Sequence, residues 1–166
     1  MREKIGNFEV FTETMETMGG GGLLLVAGTR GNPMAIGWGT IGIIWSLPVF
    51  AVLVRPSRYT FKFMEEHPEF TVNVPDSTMK KQVAFCGAKS GRDLDKVKEC
   101  GFTMVKGGRV SVPYIEECPI HYECRTIHRN NVLNADLVPE IVKANYPAGD
   151  FHRLYYGEIL GVYREG

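Results

Sequence analysis

Two segments of the chain combine cations and hydroxyl groups ahead of predicted helices, as phosphate sites do. The first is the hexapeptide Arg55–Thr60, which reads Arg-Pro-Ser-Arg-Tyr-Thr. Guanidinium and hydroxyl donors, together with the free N–H groups of a helix start, suit a phosphate monoester. An ordinary helix cap flanked by solvated arginines has the same composition, so this segment alone leaves both interpretations open.

The second such segment is Ala88–Lys96, which contains Ser90, Gly91, Arg92 and Lys96 and leads into another predicted helix. It either joins the first segment around a single anion or forms a charged surface turn. The two segments together predict one anion site only if the fold brings them together.

A third segment has the residue types that bind an aromatic ring. Trp38-Gly39-Thr40-Ile41 places a large aromatic side chain, unobstructed backbone and a hydroxyl group in a row. Backbone amides and the Thr40 hydroxyl suit the polar edge of a heteroaromatic ring, and Trp38 suits its face, although a buried core Trp is the alternative. His152 could donate to a ring carbonyl or move a proton, or simply bond a neighbouring turn.

Other kinds of site find no support in the residues. Gly19–Gly22 precedes a predicted strand, whereas a dinucleotide-binding glycine loop follows a strand and opens a helix. No Ser–His–Asp or Cys–His order can be defended, so no catalytic residue is assigned. The four cysteines, Cys86, Cys100, Cys118 and Cys124, form no CxxC pair. They predict neither a metal site nor a disulfide framework and fit a reducing compartment.

The elements that must position these segments are mostly strands without regular strand–helix alternation. The predicted strands are Leu23–Ala27, Met34–Ile44, Val49–Val54, Phe70–Val74, Phe102–Val105, Val110–Val112, Ile115–Ile127 and Arg153–Tyr163. The predicted helices are Arg58–Glu66, with Ser57 as its cap, Thr78–Cys86, Leu94–Glu99 and Leu137–Ala144. This pattern predicts a mainly β fold, an antiparallel barrel with three or four short helices, in one domain over residues 1–166.

Composition excludes several classes of partner. Lys plus Arg and Asp plus Glu each total 19, so the formal net charge is +0, which argues against a nucleic-acid partner. The stretch Gly31–Val54 has no charged residue, but its prolines and glycines favour two buried strands, joined near Ser46-Leu47-Pro48, over a membrane-spanning helix. These features predict a soluble cytoplasmic protein that does not enter a membrane.

The order of the motifs resembles the flavoredoxin branch of the flavin reductase-like proteins. The matching segments are Asn32–Thr40, Arg55–Thr60, Phe70–Pro75, Ser90–Lys96, Glu117–Cys124 and Gly149–Ile159. They cover nearly the whole chain, and Arg55–Thr60 and Ser90–Lys96 are the most specific. One departure is that Phe151 intervenes where the family usually has Asp directly before the His that corresponds to His152.

The resemblance implies a split β-barrel that binds FMN non-covalently and forms a homodimer, with the flavin near the subunit interface. By position, Ser57, Tyr59, Thr60, Ser90, Gly91 and Lys96 would hold the phosphate, with Arg55 nearby. Trp38, Gly39, Thr40 and Ile41 would line the flavin ring, and His152 would correspond to the family's closing His.

A flavin carries its own redox chemistry, so the absence of a catalytic dyad is expected. Three functions fit the sequence. The first is an FMN-dependent reductase with NAD(P)H as electron donor and free flavin or a protein as acceptor. The second is a flavoredoxin-type electron carrier between redox proteins, and the third is a flavin-binding module without turnover.

Overall fold

The computed structural model describes all 166 residues as ten strands and five α-helices. The strands are β1 Arg2–Ile5, β2 Leu23–Ala27, β3 Asn32–Ile36, β4 Gly39–Ile44, β5 Leu47–Val54, β6 Glu69–Val74, β7 Met104–Val105, β8 Tyr114–Ile115, β9 Ile120–Asn131 and β10 Arg153–Glu165. The helices are α1 Phe11–Gly20, α2 Thr60–Glu66, α3 Lys80–Ala88, α4 Lys96–Cys100 and α5 Pro139–Asn145, with short 3₁₀ turns at Ser77–Met79 and Asn134–Asp136. No helix has the length and apolar character needed to cross a bilayer.

Eight of the strands form one antiparallel sheet in the order β3-β2-β6-β9-β10-β5-β4, with β1 paired to the end of β10. Strand β10 pairs with β9 along its whole length, and two register shifts lie between Tyr156 and Gly157 and between Ile159 and Gly161. Such bulges bend a strand and increase its twist. The sheet curls so that Ile36 of β3 and Ile41 of β4, from its two ends, belong to the same core. The predicted antiparallel barrel fold is confirmed, with five α-helices rather than three or four.

Strand β2 is buried on both faces, which explains its unbroken apolar sequence Leu23–Ala27. Its odd-numbered residues belong to the main core of 21 residues inside the barrel. Leu24 and Val26 point the other way into a second core of nine residues, which includes Val83 and Cys86 of α3. This second core anchors α3 and α4, and therefore fixes the ends of the loop between them.

Helix α1 was not predicted from the sequence, because its end, Gly19-Gly20, has low helix propensity. Burial of Thr14 and Met18 against the barrel stabilises it instead. The predicted strand Met34–Ile44 is two strands, separated at Gly37-Trp38. The predicted strand Val110–Val112 is an irregular turn.

The capping prediction for helix α2 was wrong. Helix α2 begins at Thr60, and Ser57 does not cap it, because the Ser57 side chain bonds elsewhere. Helix α4 is capped by Asp95, whose side chain accepts a hydrogen bond from the Lys98 N–H. Gly101 ends α4 in a left-handed conformation.

The β4–β5 hairpin turns at Trp45-Ser46, with φ values of 53° and 60°. Two consecutive left-handed residues are typical of a type I′ turn, which matches the twist of the flanking strands. The turn leaves 58 % of Trp45 exposed at the end of the hairpin.

Candidate functional site

The two segments proposed as halves of an anion site line one cavity of about 210 Å³. Residues 57–60, at the start of α2, form one wall, and residues 88–90, 92 and 96, from the α3–α4 loop and the start of α4, form the other. We call this cavity the cradle. Loops distant in the chain thus present their hydroxyl groups and cations to the same space.

Lys96 is the buried cation of the cradle, with 4 % of its surface exposed. Its Nζ donates hydrogen bonds to the carbonyl oxygens of Pro33, at 3.1 Å, and Cys86, at 2.9 Å. No carboxylate lies within salt-bridge distance of it. Burial lowers the pKa of Lys96, and the nearby Arg58 charge also lowers it. A buried cation without a counter-charge is costly, and a bound anion would relieve that cost.

Asn32 and Gly91 hold the two walls of the cradle together. The Asn32 side-chain amide donates to Thr60 Oγ1 at 2.8 Å. A Cβ on Gly91 would lie only 2.1 Å from Asn32 Oδ1 and 2.9 Å from Tyr59 Cδ1. Only glycine therefore allows the α3–α4 loop to approach this closely. Asn32 was not among the predicted site residues. The only sequence feature that could have drawn attention to it is its position directly before Pro33, at the start of a strand.

Arg55 and Ser57 bond to a turn over residues 145–152 in this structure. The Ser57 hydroxyl and its N–H both donate to the Asp150 carboxylate. The Arg55 guanidinium donates to the carbonyl oxygens of Asp150, at 3.0 Å, and Asn145, at 2.8 Å, and lies over the Tyr146 ring. Contact of these two residues with phosphate stays a prediction, and their observed contacts position the turn that carries His152.

A second cavity, of about 270 Å³, lies next to the cradle and is lined by five apolar side chains, two glycines, two arginines and one histidine. We call it the ring groove; its lining residues are Met34, Ala35, Ile36, Gly37, Trp38, Leu53, Arg55, Arg58, Gly87 and His152. Arg58 lines both cavities, which therefore adjoin each other. Trp38 is 45 % exposed, which excludes the alternative of a core tryptophan.

His152 lies in the ring groove, with its ring centroid 5.1 Å from that of Trp38. The inserted Phe151 stacks on Tyr146, at 4.7 Å, while Asp150 adopts a left-handed conformation at φ 55°. Burial lowers the pKa of His152 to about 4; Arg55 also lowers it and Asp150 partly opposes this. The imidazole is therefore neutral near pH 7, with Nδ1 2.7 Å from the Tyr146 hydroxyl.

The other residues predicted to line a ring do not all point into the groove. Ile41 is 7 % exposed and packs in the main core, and a Cβ on Gly39 would contact Met18 of that core. Thr40 is exposed and pairs with Ala51, two residues from Leu53 on the same face of β5. Because β4 is an edge strand, one side of its backbone remains free to hydrogen bond.

A larger cavity, of about 880 Å³, lies beyond the Tyr59 ring. Its lining includes Glu66, Asp93 and Asp95 besides several cations. These carboxylates make it less suited to a phosphate than the cradle, whose lining holds cations and hydroxyl groups without a carboxylate.

The residues present fit FMN. The cradle offers Lys96, Arg58 and the hydroxyl groups of Thr60 and Ser90 to a phosphate. The adjoining ring groove offers an apolar bed with one aromatic and one neutral imidazole side chain to a planar ring.

Comparison with known proteins identifies the family and the fold. The family model described as a flavin reductase-like domain matches residues 15–166. An uncharacterised protein of Archaeoglobus fulgidus is 31% identical over 163 residues, covering 98% of this chain and 79% of the relative. The structure of flavoredoxin from Methanosarcina acetivorans superposes with a TM-score of 0.68 at 29% identity, over 87% of this chain and 68% of that one. An FMN-binding protein from Thermus thermophilus shares the fold, with a TM-score of 0.69 at 22% identity over 88% of this chain and 72% of that one.

Proposed function

The chain belongs to the flavin reductase-like domain family, and on that basis we propose that it binds FMN and reduces it with NAD(P)H for transfer to an acceptor. The FMN phosphate occupies the cradle and the flavin ring lies in the ring groove. The observation that carries this proposal is Lys96, a buried cation with no carboxylate partner, at the point where two hydroxyl-bearing loops meet.

The phosphate is held by Lys96, Arg58 and the hydroxyl groups of Thr60 and Ser90. Lys96 has two of its three ammonium protons on backbone carbonyl oxygens, so its orientation is fixed before the anion arrives. Gly91 and Tyr59 keep the two walls at the distance that the phosphate needs. Preorganised donors of this kind lower the cost of binding.

In the ring groove, Trp38 and Leu53 contribute apolar surface and exclude water. The neutral His152 retains one ring proton; when the Tyr146 hydroxyl donates to Nδ1, that proton resides on Nε2 and can be donated to a ring carbonyl. The free backbone edge at Gly39–Ile41 is the further source of hydrogen bonds to the ring. When bound, FMN supplies the hydride-accepting and electron-transferring chemistry.

The chain has no recognisable nicotinamide-binding motif, so NAD(P)H stacks transiently on the exposed side of the groove. This access is consistent with the half-exposed Trp38 beside it.

The test begins with the visible spectrum of the purified protein and with titration of the apoprotein by FMN and by riboflavin. We expect a yellow protein that prefers FMN, since riboflavin lacks the phosphate. Anaerobic addition of NADH or NADPH should then bleach the bound flavin. A protein that stays colourless with excess FMN, or that binds riboflavin as tightly, would refute the proposal.

A flavoredoxin-type electron carrier is the second candidate function, favoured by the 29% identity to the Methanosarcina acetivorans flavoredoxin. It requires the same cradle and ring groove. It predicts bound FMN that neither NADH nor NADPH bleaches anaerobically but that a reduced redox protein does.

We propose further that the chain forms a homodimer through the outer face of β4, β5, β10 and β9. Thr40, Ala51, Tyr156 and His128 lie side by side in register across these strands. The exposed Trp45 ring packs at 5.5 Å from His128 and 6.2 Å from Tyr156. Large exposed aromatic groups grouped on one sheet face are typical of an interface.

Sedimentation velocity tests this assembly. Trp45→Glu is expected to yield monomers, because it places a charge in the apolar face. Phe8→Glu, at an exposed aromatic residue before α1, is the control and should remain dimeric. A monomeric wild-type chain would contradict the proposal.

Residues 1–166 are also proposed to be one domain, which predicts a single cooperative unfolding transition.

A further inference from the structure

Two cysteines, Cys86 and Cys100, lie together beneath the cradle. Cys86 is in the last turns of α3 and fully buried, and Cys100 is the last residue of α4 and partly exposed. Their Sγ atoms are 3.8 Å apart. Both thiols are free in this structure, and no function described above uses them.

The segment between these cysteines contains one whole wall of the cradle, including Ser90 and Lys96. Lys96 Nζ donates to the carbonyl oxygen of Cys86 itself, at 2.9 Å. Arg58, from the opposite wall, reaches the carbonyl oxygen of Gly87 at 3.3 Å. The two cysteines therefore lie at the two ends of the segment that forms this wall, and their positions help to set the position of the wall.

We propose that Cys86 and Cys100 form a reversible disulfide that closes the cradle wall into a covalent loop. The sulfur atoms must approach by under 2 Å to reach the S–S bond length of about 2.05 Å. The two helices are already in contact through the second core, to which Cys86 belongs and against which Cys100 packs. The bond can then form with little backbone movement.

The oxidant is a low-molecular-weight disulfide. The partly exposed Cys100 loses its proton and attacks one sulfur of that disulfide, which releases one small thiol and leaves a mixed disulfide on Cys100. Deprotonated Cys86 then attacks Cys100 Sγ and releases the second small thiol. Two protein thiols are thereby oxidised while one small disulfide is reduced to two thiols.

The surroundings make this reaction slow near neutral pH. Burial raises the pKa of Cys86 to about 12, and burial also raises the pKa of Cys100 above its ordinary value. Because the thiolate is the nucleophile, the rate of bond formation should increase with pH up to the pKa of the attacking group.

Cys118 and Cys124 provide an internal comparison. Both are completely buried, Cys118 beside Met79 in the second core and Cys124 in the main core. Burial raises the pKa of both thiols. The only contact between two thiols is that of Cys86 with Cys100, so neither Cys118 nor Cys124 should form an intramolecular disulfide.

The disulfide should order the cradle wall. Cross-linking its ends removes conformations from the unfolded chain and restrains the α3–α4 loop in the folded one. We expect the Tm to rise by about 5–10 °C. If the proposed FMN site is correct, FMN should also dissociate several-fold more slowly from the oxidised protein. The reason is that the disulfide has already ordered the α3–α4 loop, so binding FMN costs less conformational entropy.

The test uses the intact chain incubated with oxidised glutathione and then digested with trypsin without reduction. We expect peptides 82–89 and 99–106 joined by a disulfide, and a Tm increase that dithiothreitol reverses. Limited trypsin digestion of the native protein should cut more slowly after Lys89 and Arg92 in the oxidised form. Cys100→Ser should abolish the linked peptides and the Tm shift, and Cys118→Ala with Cys124→Ala should keep both.

Four free thiols after prolonged incubation at alkaline pH would overturn the proposal. So would a linked pair of peptides without any change in Tm or in trypsin cleavage. Failure of both redox forms to bind FMN would count against the proposed function alone, because the peptide map and the Tm decide the disulfide independently.

Discussion

Replacement of Lys96 by Gln tests the central feature of the cradle. Two of the three ammonium protons are used on the carbonyl oxygens of Pro33 and Cys86, which leaves one charged donor for the phosphate. A hydrogen bond to a charged group contributes about 1.5–3 kcal/mol. The variant should therefore bind FMN about 10- to 150-fold more weakly. Its affinity for riboflavin should not change, because riboflavin has no group in the cradle.

The assay is a flavin-fluorescence titration of the apoprotein at low ionic strength, with FMN and riboflavin in parallel. Lys98→Gln is the matched control, since Lys98 lies on the same short helix but is exposed. The two variants have the same net charge, so long-range attraction of the dianion falls equally in both. Only Lys96→Gln should lose the preference for FMN over riboflavin.

Two results would refute the reasoning. Equal FMN affinity in both lysine variants would show that Lys96 has no specific contact with the anion. An equal loss of riboflavin affinity in Lys96→Gln would show that the substitution disturbs the ring groove. Circular dichroism of the apoproteins establishes that both variants are folded before either result is interpreted.

Three further perturbations follow from the structure. Trp38→Leu should weaken FMN and riboflavin binding equally, by about 2- to 12-fold, as measured by fluorescence titration, since aromatic contacts add roughly 0.5–1.5 kcal/mol beyond burial. Gly91→Ala should lower FMN affinity and the Tm together, because the added Cβ collides with the opposite wall. Urea unfolding should show stability falling between pH 7 and 5, because burial lowers the folded-state pKa of His121 and His152, so that only the unfolded state takes up their protons. Below about pH 4.5, Glu123 adds to the loss: burial alone would raise its pKa, but hydrogen bonds lower it.

Each of these three predictions has a control variant or an outcome that would contradict it. Gly42→Ala adds a Cβ with no neighbour within 4 Å and should leave both the Tm and FMN affinity unchanged. A Trp38→Leu variant that loses FMN but keeps riboflavin would place Trp38 outside the ring groove. His121→Phe, stacked between Tyr114 and Tyr163, should flatten the pH dependence; an unchanged slope would exclude His121 as its source.

Much of the β-sheet could be predicted from local patterns. Leu23–Ala27 is unbroken in the sequence because β2 faces two cores, and that same sequence predicts a buried strand with its bounds correct. Helix α1 could not be found this way. Its burial depends on packing against the barrel, which a local pattern of moderate amphipathicity ending in glycines does not reveal.

The segments that form the candidate site could be predicted from the sequence, but the contacts that their side chains make could not. The cations and hydroxyl groups of residues 55–60 and 88–96 mark both walls of the cradle in the sequence. The partner of Ser57 is Asp150, far along the chain, and only the fold shows that its carboxylate accepts the Ser57 donors. The same holds for Cys86 and Cys100, which sequence spacing did not pair because a chain turn brings the two helices together.

The burial of β2 between two cores has a consequence for how the protein unfolds. Neither core can loosen without exposing one face of the strand they share, and the second core carries α3 and α4. Amide protons of β2 should therefore exchange with solvent only when the entire molecule unfolds, whereas those of the α3–α4 loop should exchange through small local fluctuations. If FMN binds as proposed, its release on heating and the collapse of the barrel should coincide, as a single melting event seen by colour and by circular dichroism.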